Sequence, residues 1–131
     1  RRSGGSTRKR RVVITGGCGN LGTKLATRLL ASGEWEVLLL EHPDFLPRDA
    51  SRVPRGATVL PADLTDGTAS WAEALRGADS LVHFSAVNPY PNASWEDSAG
   101  SMAHSFNVFL AASRHSVRRV VLASSNHVMG G

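Results

Sequence analysis

The feature that most constrains the fold of this chain is a cluster of four glycines within eight residues, 15–22, which read T-G-G-C-G-N-L-G. A short β-branched run at residues 11–15 leads into the cluster, and leucines recur at helical spacing over residues 20–32. In such a corner the first glycine permits a tight turn, the middle one lets the backbone approach a ligand, and the last lets helix and strand pack closely. The sequence therefore predicts a strand–turn–helix corner whose N–H groups face a phosphate-bearing dinucleotide.

Strands and helices alternate along the rest of the chain. Apolar runs predict further strands at 36–41, 57–60, 79–84 and 119–123, and helical patterns predict a short helix within 65–76 and a long one over 99–115. The Pro-broken segment 42–56 is predicted to be a long surface loop. Alternating strands and helices are typical of parallel βαβ units, so we predict the α/β class, with a doubly wound parallel sheet of about five strands in the order 3-2-1-4-5.

The positive charge is concentrated at one end of the chain. The formal net charge is +4, but six of the fifteen basic residues lie within residues 1–11, and the remainder has nine basic against eleven acidic residues. We therefore predict a disordered basic tail at residues 1–10 and one domain over residues 11–131. Because the domain itself is slightly acidic, we expect no nucleic acid as its partner.

Two further classes are excluded by composition. The longest apolar run, residues 37–40, is far shorter than the roughly 20 residues that span a bilayer, so no membrane segment is expected. The five histidines are scattered, so no metal site is expected. The single cysteine, Cys18, suits a reducing compartment, and we expect a cytoplasmic protein.

Two acidic residues follow predicted strands at the expected binding edge. Glu41 lies nineteen residues after Gly22, where a carboxylate accepts hydrogen bonds from both ribose hydroxyls of adenosine and repels a 2′-phosphate, so NAD is favoured over NADP. Asp63 either accepts a hydrogen bond from the amino group of the adenine or caps a helix that begins near Thr65. The loop between Glu41 and Asp63 contains Arg48, Arg52 and Arg55, which could reach a 2′-phosphate, so NADP stays an alternative.

In this order the motifs resemble the N-terminal part of the extended short-chain dehydrogenase/reductases, the NAD-dependent epimerase/dehydratase family, and within it the uronate dehydrogenases. The resemblance covers residues 11–131 and is carried by the glycine loop, by Asp63-Leu64, by H-F-S-A at residues 83–86 and by A-S-S-N-H-V-M-G at residues 123–130. It implies an NAD(P)-binding Rossmann fold.

Individual roles follow from the resemblance. Backbone N–H groups of Asn20 and Leu21 would bind the pyrophosphate, and Ser125 would be the catalytic serine that orients the substrate hydroxyl. The cofactor residues implied are Gly16, Gly19, Asn20, Leu21, Gly22, Glu41, Asp63, Leu64, Ser85 and Ala86. The substrate residues implied are Ser124, Asn126 and His127.

The long helix over residues 99–115 carries a second set of implications. Its apolar stripe would pair with a symmetry mate, as in relatives, to form a homodimer; the stripe comprises Met102, Phe106, Phe109 and Leu110. Family members open this helix with an asparagine near the nicotinamide, six residues before a second asparagine. Here the second is Asn107 and the first position holds Ser101.

The family's base, the tyrosine of a Tyr-x-x-x-Lys motif, has no counterpart in these residues. The only tyrosine, Tyr90, is followed by Pro91, and the only lysine beyond the tail is Lys24. A tyrosine with a pKa of about 10 needs a nearby lysine to act as a base near neutral pH. The resemblance therefore implies the nucleotide-binding part of an NAD-dependent sugar oxidoreductase or epimerase, uronate dehydrogenase-like, truncated before the substrate-binding lobe and inactive alone. The alternative is a non-catalytic NAD(P)-binding or sensing module.

Overall fold

The computed structural model describes residues 9–66, 70–84 and 95–122, with position 50 and positions 95–104 described by backbone alone. Within these ranges five strands alternate with two α-helices. They are β1 (Arg10–Thr15), α1 (Asn20–Ala31), β2 (Trp35–Glu41), β3 (Thr58–Pro61), β4 (Ser80–His83), α2 (Trp95–Arg114) and β5 (Arg119–Leu122). Most of the predicted basic tail, residues 1–8, lies outside the described residues.

The five strands form one parallel sheet in the order β3-β2-β1-β4-β5, which confirms the predicted class and strand order. Thr15, the last residue of β1, is level with Leu40 of β2 and with His83 of β4. The carboxyl ends of the three central strands therefore meet at one edge of the sheet, where ligands of open α/β sheets bind.

Each central strand is buried on both faces, as its continuous apolar sequence predicts. Alternate residues of β1 point to opposite sides, so that Val12 and Ile14 pack with Ala26 of α1, while Val13 packs with Leu75 and with Val108 of α2. The two clusters place a helical layer on either side of the sheet, and the binding edge lies between them.

Two helical predictions differ from the structure in detail. The short helix predicted within residues 65–76 is a 3₁₀ segment over Ser70–Leu75, which is held in place by the buried side chains of Trp71 and Leu75. The loop 42–56 contains two short 3₁₀ turns, Pro43–Phe45 and Ala50–Arg52. Neither helix of the described ranges combines the length and the hydropathy of a bilayer-spanning segment.

The face of α2 that meets the sheet is distinct from the apolar stripe for which pairing with a symmetry mate is predicted. Val108, Ala111 and Ala112 are buried. The stripe itself is largely exposed: the exposed fractions of Phe106, Phe109 and Leu110 are 66%, 40% and 39%, and Met102 lies where only the backbone is described. Because α2 meets the sheet through a valine and two alanines, its larger apolar side chains remain available to another surface.

Candidate nucleotide-binding site

The loop between β1 and α1 depends on its glycines for three different reasons. Gly16 has a φ of +64°, a left-handed conformation that favours glycine. A Cβ on Gly17 would lie 2.6 Å from the Cβ of Leu39 on β2. A Cβ on Gly22 would lie 2.7 Å from the Cα of Gly17, so this glycine allows the close approach of helix and loop that the motif predicts.

Gly19 differs from Gly17 and Gly22 because a Cβ on it would be less crowded than a Cβ on either of them. A Cβ built on it would meet a single neighbour, the carbonyl oxygen of Gly16 at 3.3 Å. Gly19 is also the N-cap residue of α1, and no side chain of the described residues caps this helix or places an acid in its first turn. Asn20 and Leu21 follow as the first residues of the helix, where N–H groups and the helix dipole favour an anion. The loop therefore has the shape and the charge to hold a diphosphate.

The Glu41 carboxylate lies against this loop although 23 residues separate it from Cys18. Its Oε1 accepts a hydrogen bond from the N–H of Cys18 at 3.1 Å, and its Oε2 accepts one from the N–H of His42 at 3.1 Å. Glu41 is 9% exposed, so the carboxylate is fixed by two main-chain donors in a partly desolvated position. Each carboxylate oxygen has a second lone pair, which leaves capacity to accept ribose hydroxyls.

Cys18, the single cysteine, is an inert member of the loop. Burial, and then the negative charge of Glu41, raise the pKa of its thiol above the ordinary value. Only the thiolate is a strong nucleophile, so Cys18 stays protonated and unreactive near neutral pH. Its side chain instead packs against the core cluster on the α1 side of the sheet.

Asp63 lies beside Glu41 at the same sheet edge, with His42 between them. The Oδ1 atom of Asp63 accepts hydrogen bonds from the N–H and the hydroxyl of Thr65, at 3.0 and 2.6 Å. Its Oδ2 atom lies 4.0 Å from Nε2 of His42. The predicted contact between Asp63 and Thr65 is thus present, and it lies at a turn over residues 64–65.

A buried polar contact beneath the glycine loop is absent from the sequence prediction. The hydroxyl of Thr15 lies 2.6 Å from Nδ1 of His83 and accepts a hydrogen bond from the N–H of Phe84 at 3.1 Å. Nε2 of His83 lies 3.5 Å from the hydroxyl of Ser105 on α2. Polar residues that end two apolar strands at the same register are the signal that points to this contact. It joins β1, β4 and α2 directly under the site.

A cavity of about 410 Å³ opens beside the loop and is lined by Cys18, Gly19, Asn20, Thr23, Phe45, Pro47 and Arg52. Of the three arginines considered for a phosphate contact, Arg52 borders this cavity and Arg55 borders another. Among the residues that the structure describes, no three His, Cys, Asp or Glu side chains are grouped as metal ligands.

The remaining predicted residues lie outside the described ranges. They are the nicotinamide-side residues Ser85 and Ala86, the catalytic candidate Ser125, the substrate candidates Ser124, Asn126 and His127, and also Tyr90.

A five-stranded parallel sheet with a glycine corner after β1 and an acid at the end of β2 defines a dinucleotide-binding Rossmann domain. The chain belongs to the NAD dependent epimerase/dehydratase family, whose model matches residues 12–131.

The chain is similar to several characterised proteins. It is 35% identical over 121 residues to the uronate dehydrogenase of Pseudomonas putida, and the aligned region covers 92% of this chain and 42% of that protein. It is 33% identical over 132 aligned residues to the 3 beta-hydroxysteroid dehydrogenase/Delta 5-->4-isomerase of Mycobacterium tuberculosis, covering 92% of this chain and 33% of the other. Among solved structures, the Bordetella bronchiseptica enzyme WbmG in complex with NAD and UDP matches with a TM-score of 0.72 and 28% identity, over 88% of this chain and 37% of that one. The chain thus spans less than half the length of these relatives.

Proposed function

We propose that this chain binds NAD and forms the nucleotide-binding part of an NAD-dependent enzyme that oxidises or epimerises a sugar, most concretely by uronate dehydrogenase-like hydride transfer. The observation that carries the proposal is the corner at Gly19, where the start of α1, which no described side chain caps, meets a loop that is bonded to the buried Glu41 carboxylate. Family membership and the similarity to the uronate dehydrogenase of Pseudomonas putida support the choice of cofactor and substrate class.

In this proposal the cofactor extends along the carboxyl edge of the sheet. N–H groups of Asn20 and Leu21 bind the diphosphate over Gly19, and Gly16 and Gly22 shape that corner. Glu41 accepts the ribose hydroxyls. At one end of the cofactor, Asp63 and the main chain of Leu64, whose side chain is buried, contact the adenine. At the other end, Ser85 and Ala86 line the nicotinamide ribose.

The chemistry would take place beyond β5. NAD, when bound, accepts a hydride from the substrate carbon. Ser125 orients the hydroxyl that is oxidised, and Ser124, Asn126 and His127 contact the sugar. A Tyr-x-x-x-Lys pair that would accept the hydroxyl proton is not present among these 131 residues, so we propose that the chain binds NAD without oxidising a sugar on its own.

The preference for NAD over NADP rests on Glu41. A 2′-phosphate would approach a buried carboxylate that is fixed by the N–H groups of Cys18 and His42, and the two negative charges would repel each other. Arg52, which borders the neighbouring cavity, carries a positive charge that would attract a 2′-phosphate and so works against this preference.

The proposal is tested by calorimetric titration of the 131-residue chain with NAD. We expect saturable binding by the natural sequence and none by Gly19→Val, because valine places side-chain atoms where the diphosphate approaches. Ala31→Val is the matched control, since it enlarges an exposed side chain at the other end of α1. Absence of saturable uptake by folded natural chain, or natural affinity in Gly19→Val, would refute the proposal.

A non-catalytic NAD-binding or sensing module is the second candidate. It would use the same loop from Gly16 to Gly22 and the same Glu41, and it would need no base. A reading frame that continues into a Tyr-x-x-x-Lys pair would exclude it, whereas full turnover of uronate and NAD by the 131-residue chain would contradict both candidates.

We further propose that the protein is a cytoplasmic homodimer that pairs through α2. The exposed stripe of Phe106, Phe109 and Leu110 supports the pairing, and the single free thiol of Cys18 suits a reducing compartment. Light scattering of the natural chain should give the mass of two copies, and Phe106→Asp should give the mass of one. A monomeric natural chain would exclude this interface.

A further inference from the structure

The loop that follows β3, residues 62–66, is held by groups from other parts of the fold. The N–H of Ala62 donates to the carbonyl of Glu41 at 2.8 Å, and Nε1 of Trp71 donates to the carbonyl of Asp66 at 2.9 Å. Between these two contacts, Nδ2 of Asn107 donates to the carbonyl of Leu64 at 2.8 Å, across 43 residues of sequence. The central contact is the one that comes from α2.

Asn107 is a polar residue beside the buried face of α2. It is half-buried, next to Val108, which is fully buried against the sheet. An amide here lowers helix propensity and adds nothing to apolar packing. What it supplies is an N–H donor for a main-chain carbonyl, in a loop whose Leu64 side chain is 3% exposed.

The Leu64 carbonyl shares one peptide unit with the N–H of Thr65, and that N–H donates to Oδ1 of Asp63 at 3.0 Å. The orientation of this peptide unit therefore bears directly on the direction of the Asp63 carboxylate. Oδ1 of Asp63 is bonded within the loop, to the N–H and hydroxyl of Thr65, and Oδ2 is directed toward the side of His42. The carboxylate therefore moves with the loop as one unit.

We infer that Asn107 is a positioning residue for recognition of the base. By its hydrogen bond to the Leu64 carbonyl, it holds the Asp63 carboxylate where that group accepts a hydrogen bond from the 6-amino group of adenine. The inference rests on the proposed function, since it presupposes NAD with its adenine beside Asp63. It adds a residue of α2 to the adenine end of the site and makes selection of the base depend on how that helix packs.

The inference predicts a loss of base discrimination. Nicotinamide hypoxanthine dinucleotide matches NAD but carries a carbonyl in place of the 6-amino group and a proton on the adjacent N1, so its position 6 offers Asp63 an acceptor instead of a donor. The natural chain should bind NAD at least tenfold more tightly than this analogue. Removing the Asn107 donor should reduce that ratio at least threefold by weakening NAD, while the Kd of the analogue changes less than twofold.

The experiment measures both dissociation constants by calorimetry for the natural chain, Asn107→Leu and Asn107→Asp. Leucine keeps the volume and aspartate keeps the shape, and neither donates to a carbonyl, so a folding defect in one variant leaves the other as the test. Ser113→Leu, at an exposed position of α2, is the control and should keep the natural ratio. In an Asp63→Ala background the ratio should be near one, and adding Asn107→Asp should not change it.

The outcomes separate this inference from the proposed function. The inference alone would be overturned if both Asn107 variants bind NAD saturably and keep the same ratio of the two dissociation constants as the natural chain. An equal loss of affinity for both dinucleotides would do so too, because it would assign Asn107 a purely structural role. No saturable uptake of NAD by folded natural chain would overturn the proposed function together with the inference.

Discussion

Gly22→Ala tests the close packing on which the glycine corner depends. The added Cβ would lie 2.7 Å from the Cα of Gly17, 2.7 Å from its carbonyl oxygen and 2.8 Å from the carbonyl oxygen of Gly16. All three atoms belong to the main chain, so no side chain can rotate away to make room. The start of α1 must therefore shift relative to the loop.

Two opposing terms set the size of the effect. Overpacking a well-packed site costs about 1–3 kcal/mol. Alanine in a helix is more favourable than glycine by about 1 kcal/mol. Because rigid backbone places the cost in the upper part of its range, we expect Gly22→Ala to lower the free energy of unfolding by about 1–2 kcal/mol.

Urea unfolding followed by tryptophan fluorescence, to which the buried Trp71 contributes together with Trp35 and Trp95, measures this difference. Thr27→Ala is the control, because it adds helix propensity at an exposed position of the same helix and should not destabilise the chain. If Gly22→Ala proves as stable as the natural chain or more stable, the helix and the loop do not approach each other as the structure describes.

Three further predictions concern the same edge of the sheet. Glu41→Gln should weaken NAD binding about tenfold, the equivalent of about 1.4 kcal/mol, and should reduce the ratio of the Kd for NADP to the Kd for NAD. If calorimetry finds the natural ratio in this variant, the charge of Glu41 does not set the preference for NAD. Because the pKa of the Cys18 thiol is raised, less thiolate is present at a given pH than in free cysteine. The rate of alkylation by iodoacetamide, measured by mass spectrometry, should therefore rise with pH through a midpoint above that of free cysteine. Glu41→Gln should lower that midpoint, and a natural midpoint at or below the free value would count against the burial argument. Thr15→Val removes the hydroxyl next to His83 and should cost about 1–3 kcal/mol in urea unfolding; an unchanged midpoint would show that the buried contact does not stabilise the fold.

The strands and helices of the sheet could be predicted because they depend on patterns between near neighbours, and the strand order is the one common to dinucleotide-binding sheets of this kind. The β-branched run before Gly16, the leucine spacing after it and the apolar segment that ends at Glu41 each report local structure directly. The placement of Glu41 at the glycine loop follows as well, since the carboxyl ends of parallel strands share one edge.

The face of α2 could not be predicted in the same way. Its largest apolar side chains, among them Phe106 and Phe109, form the stronger stripe in the sequence, yet the sheet takes the weaker stripe with Val108 and two alanines. A hydrophobic pattern shows that a helix has an apolar face but not which surface covers it. The extent of the 3₁₀ segment at Ser70–Leu75 is decided by tertiary packing for the same reason.

The sequence by itself determined the glycine corner, the alternation of apolar strands with helices and the acid at the end of β2, because each is encoded within a few residues of the chain. Only the tertiary structure decided that Thr15 meets His83 across 68 residues and that Asn107 meets Leu64 across 43. A hydrogen bond needs its donor and acceptor within about 3 Å, and between distant residues that distance is set by the packing of whole strands and helices.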